Sequence, residues 1–248
     1  MLKFLPVLLV FSVCILFFLK PQTTQAASRG IPILTYHYVR DYNNPKDPTG
    51  NGLSVSPGNF SAQMDYLSAH GFTPITLDTM YAILSHKAGS PAKPIVLTFD
   101  DGYIDFYANA YPVLKAHNFQ AVSFIVTGFV GRPAYLSWDN ISEMYSSGLI
   151  SFQARTVDHA YLPNLSYQQV LRELIDSKNA LQSHIGYTVN SIAYPYGASN
   201  GFVIKAAQKS GFYGGIGTWF GRASSVSLNM PRIRIANFSL STFASRVE

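Results

Sequence analysis

From Lys93 onward, short apolar runs alternate with longer stretches that carry helix caps and helical periodicity, and this rhythm narrows the folds open to the chain more than any other feature. Ile95-Val96-Leu97-Thr98-Phe99 is a nearly unbroken apolar run, the pattern of a strand covered on both faces and so of a parallel sheet. Further strands are expected at Val122 to Val126, Leu149 to Phe152, Ser191 to Tyr194, Gly215 to Thr218 and Arg232 to Ile235. Between them the sequence predicts helices from about Phe106 to His117, from Trp138 to Ser147 behind a Ser137 cap, and from about Phe202 to Ser210. Ser166 with Gln169 forms a capping box for a longer helix that reaches about His184 and is closed by Gly186. Upstream, Ile33 to His37 reads as a first strand and Asp41 to Gly52 as a surface loop. Ser56-Pro57 opens a helix with Phe60, Met64 and Leu67 on its apolar face, and Phe72 to Leu77 reads as a short second strand. Repeated strand–helix units call for a parallel α/β sheet, open or closed, in a single domain; the strand count favours a closed barrel. In either form ligands meet the carboxyl ends of the strands.

The N-terminus bears on the compartment. Met1-Leu2-Lys3 is a basic start, Phe4 to Phe18 is an apolar run, and Thr24-Gln25-Ala26 offers small residues for cleavage. Residues 1–26 therefore read as a secretory signal and 27–248 as the working domain, secreted or extracytoplasmic and associated with the cell wall. The alternative is an uncleaved segment that anchors the chain to the membrane, but the run is shorter than the roughly 20 apolar residues of a spanning helix. Cys14 is the only cysteine and lies within the apolar run, with Val13 before it where a lipidation signal wants a small residue. After cleavage no disulfide or thiolate site is available, so a metal would have to be held by His and carboxylate. Losing Lys3 and Lys20 brings the formal charge from +5 to +3. That small excess, with no Lys/Arg cluster, argues against nucleic acid as a partner.

Three loops then stand out, each directly after a predicted strand and so on one rim. The first carries Asp100-Asp101-Gly102. Adjacent carboxylates behind a buried strand repel each other, and a divalent cation would resolve this, with one Asp as ligand and the other as base toward water; an ordinary Asp-Asp-Gly turn is the bland alternative. The second loop carries Thr156-Val157-Asp158-His159, and the third Tyr194-Pro195-Tyr196-Gly197.

Taken together these loops resemble the polysaccharide deacetylase family, also called NodB-like. Its T-F-D-D-G motif stands as Thr98 to Gly102, and its third motif as Tyr194 to Gly197 without the Arg that many members place before it, as in the exopolysaccharide-modifying branch. Supporting matches are Pro32 to His37, Leu136-Ser137-Trp138-Asp139 and Pro231-Arg232-Ile233. The resemblance implies a distorted (β/α) barrel and removal of N-acetyl groups from N-acetylglucosamine polymers such as peptidoglycan or exopolysaccharide, with Zn²⁺ or a similar divalent cation. Carried over by position, Asp100 is the general base and Asp101 and His159 are metal ligands. Tyr196 helps hold the oxyanion, and Tyr194, Pro195 and Gly197 belong to the substrate wall. Trp219 is a further candidate for sugar stacking.

The chain departs from the family at one ligand. The second motif, H-[ST]-x-x-H, reads Arg155-Thr156-Val157-Asp158-His159, so the first His is replaced by Arg155. A guanidinium has no lone pair to donate and stays charged at any relevant pH. Arg155 is therefore expected to pair with the Asp100–Asp101 carboxylates and to weaken or abolish metal binding. In the alternative, Arg155 turns outward and His37 or Asp158 fills the vacancy. A late His, which many members use to protonate the leaving amine, is also missing after His184. Two functions compete on this ground: a glycan N-deacetylase, and a catalytically lapsed relative that binds glycan as an accessory module.

Overall fold

The computed structural model describes residues 30–248; the expected secretory segment over residues 1–26, including Cys14, lies outside the described residues. In chain order the elements are β1 Ile33–Tyr36, β2 Tyr38–Val39, α1 Pro48–Leu53, β3 Ser54–Val55, α2 Pro57–Ala69, β4 Thr73–Pro74, α3 Leu77–Leu84 and β5 Pro94–Phe99. There follow α4 Tyr111–Ala116, β6 Ala121–Ile125, α5 Trp138–Ser146, β7 Ile150–Ala154, α6 Tyr167–Ile185, β8 Ser191–Ala193, α7 Gly201–Lys209, β9 Gly214–Phe220, β10 Met230–Arg234 and α8 Leu240–Val247.

The large sheet is parallel throughout and runs β1-β10-β9-β8-β7-β6-β5, with β5 pairing back to β1. Seven strands thus close on themselves, and β4 hangs on the far edge of β5. This is the expected (β/α) barrel. Its distortion is concentrated where the register between β9 and β10 shifts, between Met230 and Arg232.

Strand periodicity divides the core in two. Leu34, Leu97, Phe152, Ile192 and Ile233 point outward and pack under the helices. Ile33, Val96, Val122, Phe124, Ile216 and Met230 fill the barrel interior, together with Leu77, Met80, Tyr81 and Ile83 from α3. Further along the same inward faces the positions become polar: Thr98 and then Asp100 above Val96, and Arg232 above Met230, all buried. The barrel is therefore apolar towards its amino end and charged towards its carboxyl end.

The expected caps hold. The Ser56, Ser137 and Ser166 hydroxyls accept from the N–H groups of Asn59, Asn140 and Gln169, and Gly186 ends α6 in the left-handed conformation. Other expectations need correction. The second strand keeps only Thr73–Pro74, because Thr76 caps a new helix, α3, by accepting from Thr79 N–H. The loop over 41–52 holds α1, capped by Asp47 with Pro48 behind it. The helix expected from Phe106 opens as a π turn over Phe106–Ala110; Pro112, early in α4, lacks the N–H that would close a regular turn there. The C-terminal α8 was not foreseen; Ser239 caps it, and it buries Phe243 and Val247, one turn apart.

Candidate active site

Three strands deliver buried charge to one point. Asp100 follows β5 directly and its N–H donates to Tyr36 O (3.0 Å), continuing the ladder with β1. Arg155 follows β7 in the same way, donating its N–H to Ile125 O at 2.9 Å. Arg232 lies inside β10. Asp100, Arg155 and Arg232 are each at most 2% exposed, and isolated charges so deep would be prohibitively costly.

They are not isolated. Arg232 grips Asp100 with both arms, Nη1 to Oδ1 at 2.8 Å and Nη2 to Oδ2 at 2.7 Å. Its Nε donates to Gly217 O (2.9 Å) and Nη1 also reaches Thr98 Oγ1 (3.2 Å). Arg155 bridges the two carboxylates: Nη1 lies 2.8 Å from Asp100 Oδ2, while Nε donates to Asp101 Oδ1. Two carboxylates and two guanidiniums leave the centre formally neutral, and the paired fork geometry is the strong form of such contacts.

The electrostatics follow. Burial alone would raise the Asp100 carboxyl, but Arg155 and Arg232 beside it hold it below its ordinary value. The same opposition, led by Arg155, holds Asp101 well below the carboxylate range. Burial lowers Arg155 less than the two carboxylates raise it. His37, at the end of β1, lies 3.8 Å from Asp100 Oδ2; burial pushes it down to about 4, so its imidazole is neutral at physiological pH.

Above the network lies a cavity of about 540 Å³ with His37, Tyr103, Arg155, His159, Tyr196 and Thr218 among its walls, within the usual range of roughly 300–1,000 Å³ for small-molecule sites. Tyr196 is 61% exposed and sets the edge of its ring against His159 at 4.8 Å. Asp101, Thr156, His159 and Tyr196 all carry positive φ. Non-glycine residues held there cost about 1–3 kcal/mol each and gather at functional sites. Position 197 requires glycine on two counts, a positive φ and a Cβ that would stand 2.1 Å from Thr218 Oγ1.

The expected site residues are only partly brought together. Asp100, Asp101, Arg155, His159, His37 and Tyr196 converge. Tyr194, expected on the substrate wall, is instead fully buried, its hydroxyl donating to Leu228 O (2.9 Å) and its carbonyl accepting from Arg155 Nη1 (3.5 Å). Pro195 is buried as well. Trp219 is 54% exposed but does not line the cavity; Thr218, its neighbour on the opposite face of β9, does. Asp158 does not fill a vacancy: its N–H donates to Glu173 Oε2 (3.1 Å), its carboxylate lies beside Gly128, and Arg155 has not turned outward. Trp138 stacks on His184 at 3.7 Å, a packing role. Sequence reasoning met Arg232 only within a supporting match, without a role in the site, and passed over Tyr103 and Thr218; barrel closure is what brings Arg232 to Asp100.

A metal does not suit this donor set. Asp101 already accepts from Arg155. His159 Nε2 lies 3.1 Å from Asp101 Oδ1 without an aligned hydrogen bond. A catalytic zinc needs three protein ligands, and among the described residues no group of three or more His, Cys, Asp or Glu side chains is arranged to hold an ion.

Comparison with known proteins identifies the frame around these departures. A family model described as polysaccharide deacetylase matches residues 87–215. The poly-beta-1,6-N-acetyl-D-glucosamine N-deacetylase of Staphylococcus aureus (strain NCTC 8325 / PS 47) is 31% identical over 213 residues, 77% of this chain and 73% of that protein. The chain belongs to the polysaccharide deacetylase family. Another relative, YxkH of Bacillus subtilis (strain 168), is 34% identical over 194 residues, 78% of this chain and 66% of that protein. Among solved structures, the Streptococcus pyogenes deacetylase PplD in complex with acetate superposes with a TM-score of 0.82 at 32% identity, covering 88% of this chain and 98% of that one. As a deacetylase-family protein the chain is of a hydrolase type, and its barrel is the family's. The matched segment ends before β10, so Arg232 lies outside it.

Proposed function

We propose that this chain is an extracytoplasmic member of the polysaccharide deacetylase family that seats N-acetylglucosamine-containing polymer in the rim cavity but does not support the family's metal-dependent amide hydrolysis. The observation that carries this reading is Arg155, whose guanidinium bridges Asp100 and Asp101 where a ligand His is expected. A base must be free to take a proton near neutral pH, and Asp100 is held by two guanidiniums. The glycan half of the reading is supported by the S. aureus relative, named for action on poly-beta-1,6-N-acetyl-D-glucosamine, and by the exposed Tyr196 at the mouth of the cavity. The domain is assigned to residues 27–248, after a secretory segment over 1–26.

A second reading keeps the deacetylase activity itself, with Asp100 as base and Tyr196 at the oxyanion. It is favoured by His159, whose buried Nε2 faces Asp101 Oδ1 at 3.1 Å without an aligned hydrogen bond, so that the two expected ligand side chains stand together. One experiment separates the two. Metal content is measured on purified wild type and on Arg155→His, followed by acetate release from chitotetraose. The first reading expects no stoichiometric metal and no acetate from wild type, with both gained in the variant. One tightly held metal per wild-type chain together with acetate release would falsify it and establish the second.

A further inference from the structure

The rim cavity does not end at the charge network. Thr49 and Arg234 line it, and both also line a neighbouring depression of about 500 Å³ bounded by Pro48, Gly52, Phe238 and Arg246. The two form one groove running from the Asp100–Arg155 centre to α8, and its charge changes along its length. At the centre, Arg155 and Arg232 are matched by Asp100 and Asp101. Beyond it, Arg234 stands two residues past Arg232 on β10, with the same parity, and is exposed. Arg246 projects from the last turn of α8 and lies over the Phe238 ring at 4.3 Å.

Neither arginine forms an ion pair among the described residues, and no acidic residue lines the second depression. The neighbouring acid, Asp47, is committed within its own cap: Oδ1 accepts from Gly50 N–H (2.8 Å) and Oδ2 from the Tyr42 hydroxyl (2.9 Å). Glu248, at the end of α8, is taken by Lys93. An exposed arginine is ordinarily just a solvated charge. Two that converge on one groove continuous with a ligand cavity, one steadied by an aromatic face, make a focused positive potential with planar donors still free.

We propose that this groove is a subsite for an acidic substituent, a carboxylate or a phosphate, carried by a sugar next to the N-acetylated unit at the rim. The inference rests on the glycan-binding reading above and deepens it: the preferred polymer is anionic, and a chain rich in free amines is disfavoured.

Titration calorimetry at low salt compares four tetrasaccharides on the full chain: neutral chitotetraose, its partly de-N-acetylated form, a GlcNAc–MurNAc tetramer with lactyl carboxylates, and a chitotetraose bearing a 6-phosphate. Wild type is expected to bind at least one acidic ligand about fivefold or more tightly than the neutral one, the scale of a charge-assisted hydrogen bond, and the amine-bearing one most weakly. The carboxylate and phosphate arms identify the source of the charge. Arg246→Gln is expected to lose the preference while keeping its affinity for chitotetraose, and Arg246→Lys to retain most of it. Equal affinity for neutral and acidic tetramers, or a preference that survives Arg246→Gln combined with Arg234→Gln in a folded protein, overturns the subsite. If no tetrasaccharide binds at all, the glycan-binding reading falls as well.

Discussion

The two ends of the barrel interior are built from the same strands and solve burial in opposite ways. Towards the amino end, Ile33, Val96, Ile216 and Met230 pack against the underside of α3. The polar atoms admitted there are neutral and paired: the Tyr81 hydroxyl lies 2.7 Å from Ser191 Oγ, and Gln153 Oε1 accepts from the N–H groups of Asn190 and Ser191. Further along, the inward positions carry Arg232, two residues past Met230 on β10, and Asp100, four past Val96 and directly after β5. The apolar end is held by many small, interchangeable contacts. The charged end is held by few contacts, each dependent on its partner, because a buried charge stripped of its counter-ion costs far more than the pair contributes.

This contrast can be broken most sharply on one strand. Arg232→Leu leaves Asp100 buried with Arg155 alone and is expected to cost about 3–5 kcal/mol, read by urea denaturation. Met230→Ala, two residues below, should cost about 2–4 kcal/mol by leaving a cavity. If the arginine variant proves the milder of the two, the charged end is not the more partner-dependent.

Acid separates the ends next. Asp100 and Asp101 have folded pKa values below their unfolded ones. The stability they contribute is therefore complete above the unfolded value and is lost as pH falls. Between pH 4 and pH 3 Asp101 alone should remove about 1 kcal/mol, seen as a falling Tm in calorimetry, with Asp100 adding in the same direction, and Asp101→Asn should flatten that slope. A Tm that is level over this interval would contradict the paired state of the carboxylates. The smallest effect belongs to the amino end: Tyr81→Phe removes one neutral hydrogen bond and should cost about 1 kcal/mol, with no change in the acid slope.

The barrel was legible because its strands are continuous apolar runs and its helices carry explicit caps; Ser56, Ser137 and Ser166 state where three helices begin. Helix α3 was not legible because Thr73 to Leu77 satisfies strand and helix-entry patterns at once, and only pairing with β5 limits the strand to two residues. In the site, Asp100, Asp101, Arg155 and His159 were legible from loop position and chemistry, including the pairing of Arg155 with both carboxylates. Tyr194 was misread because strand parity, which sends its side chain into the core, is invisible when a strand is only three residues long. Arg232 was quoted in a family match but given no role in the site, because its meaning depends on barrel closure, which brings it to a carboxylate 132 positions earlier.

That distance has a bearing on assembly. Asp100 meets Arg155 from β7, but its bidentate partner arrives only when β10 inserts between β9 and β1. A slip of one residue in β10 would turn Arg232 to the outer face, and a slip of two would set Met230 or Arg234 against the carboxylate. With Met230 there the carboxylate loses its counter-ion, and with Arg234 there Arg232 is driven unpaired into the apolar half. Only the observed alignment leaves every buried charge matched, and the ionic centre acts to select it. Refolding of Arg232→Leu should accordingly pass through a longer-lived dye-binding intermediate than wild type, and indistinguishable refolding traces would remove that role.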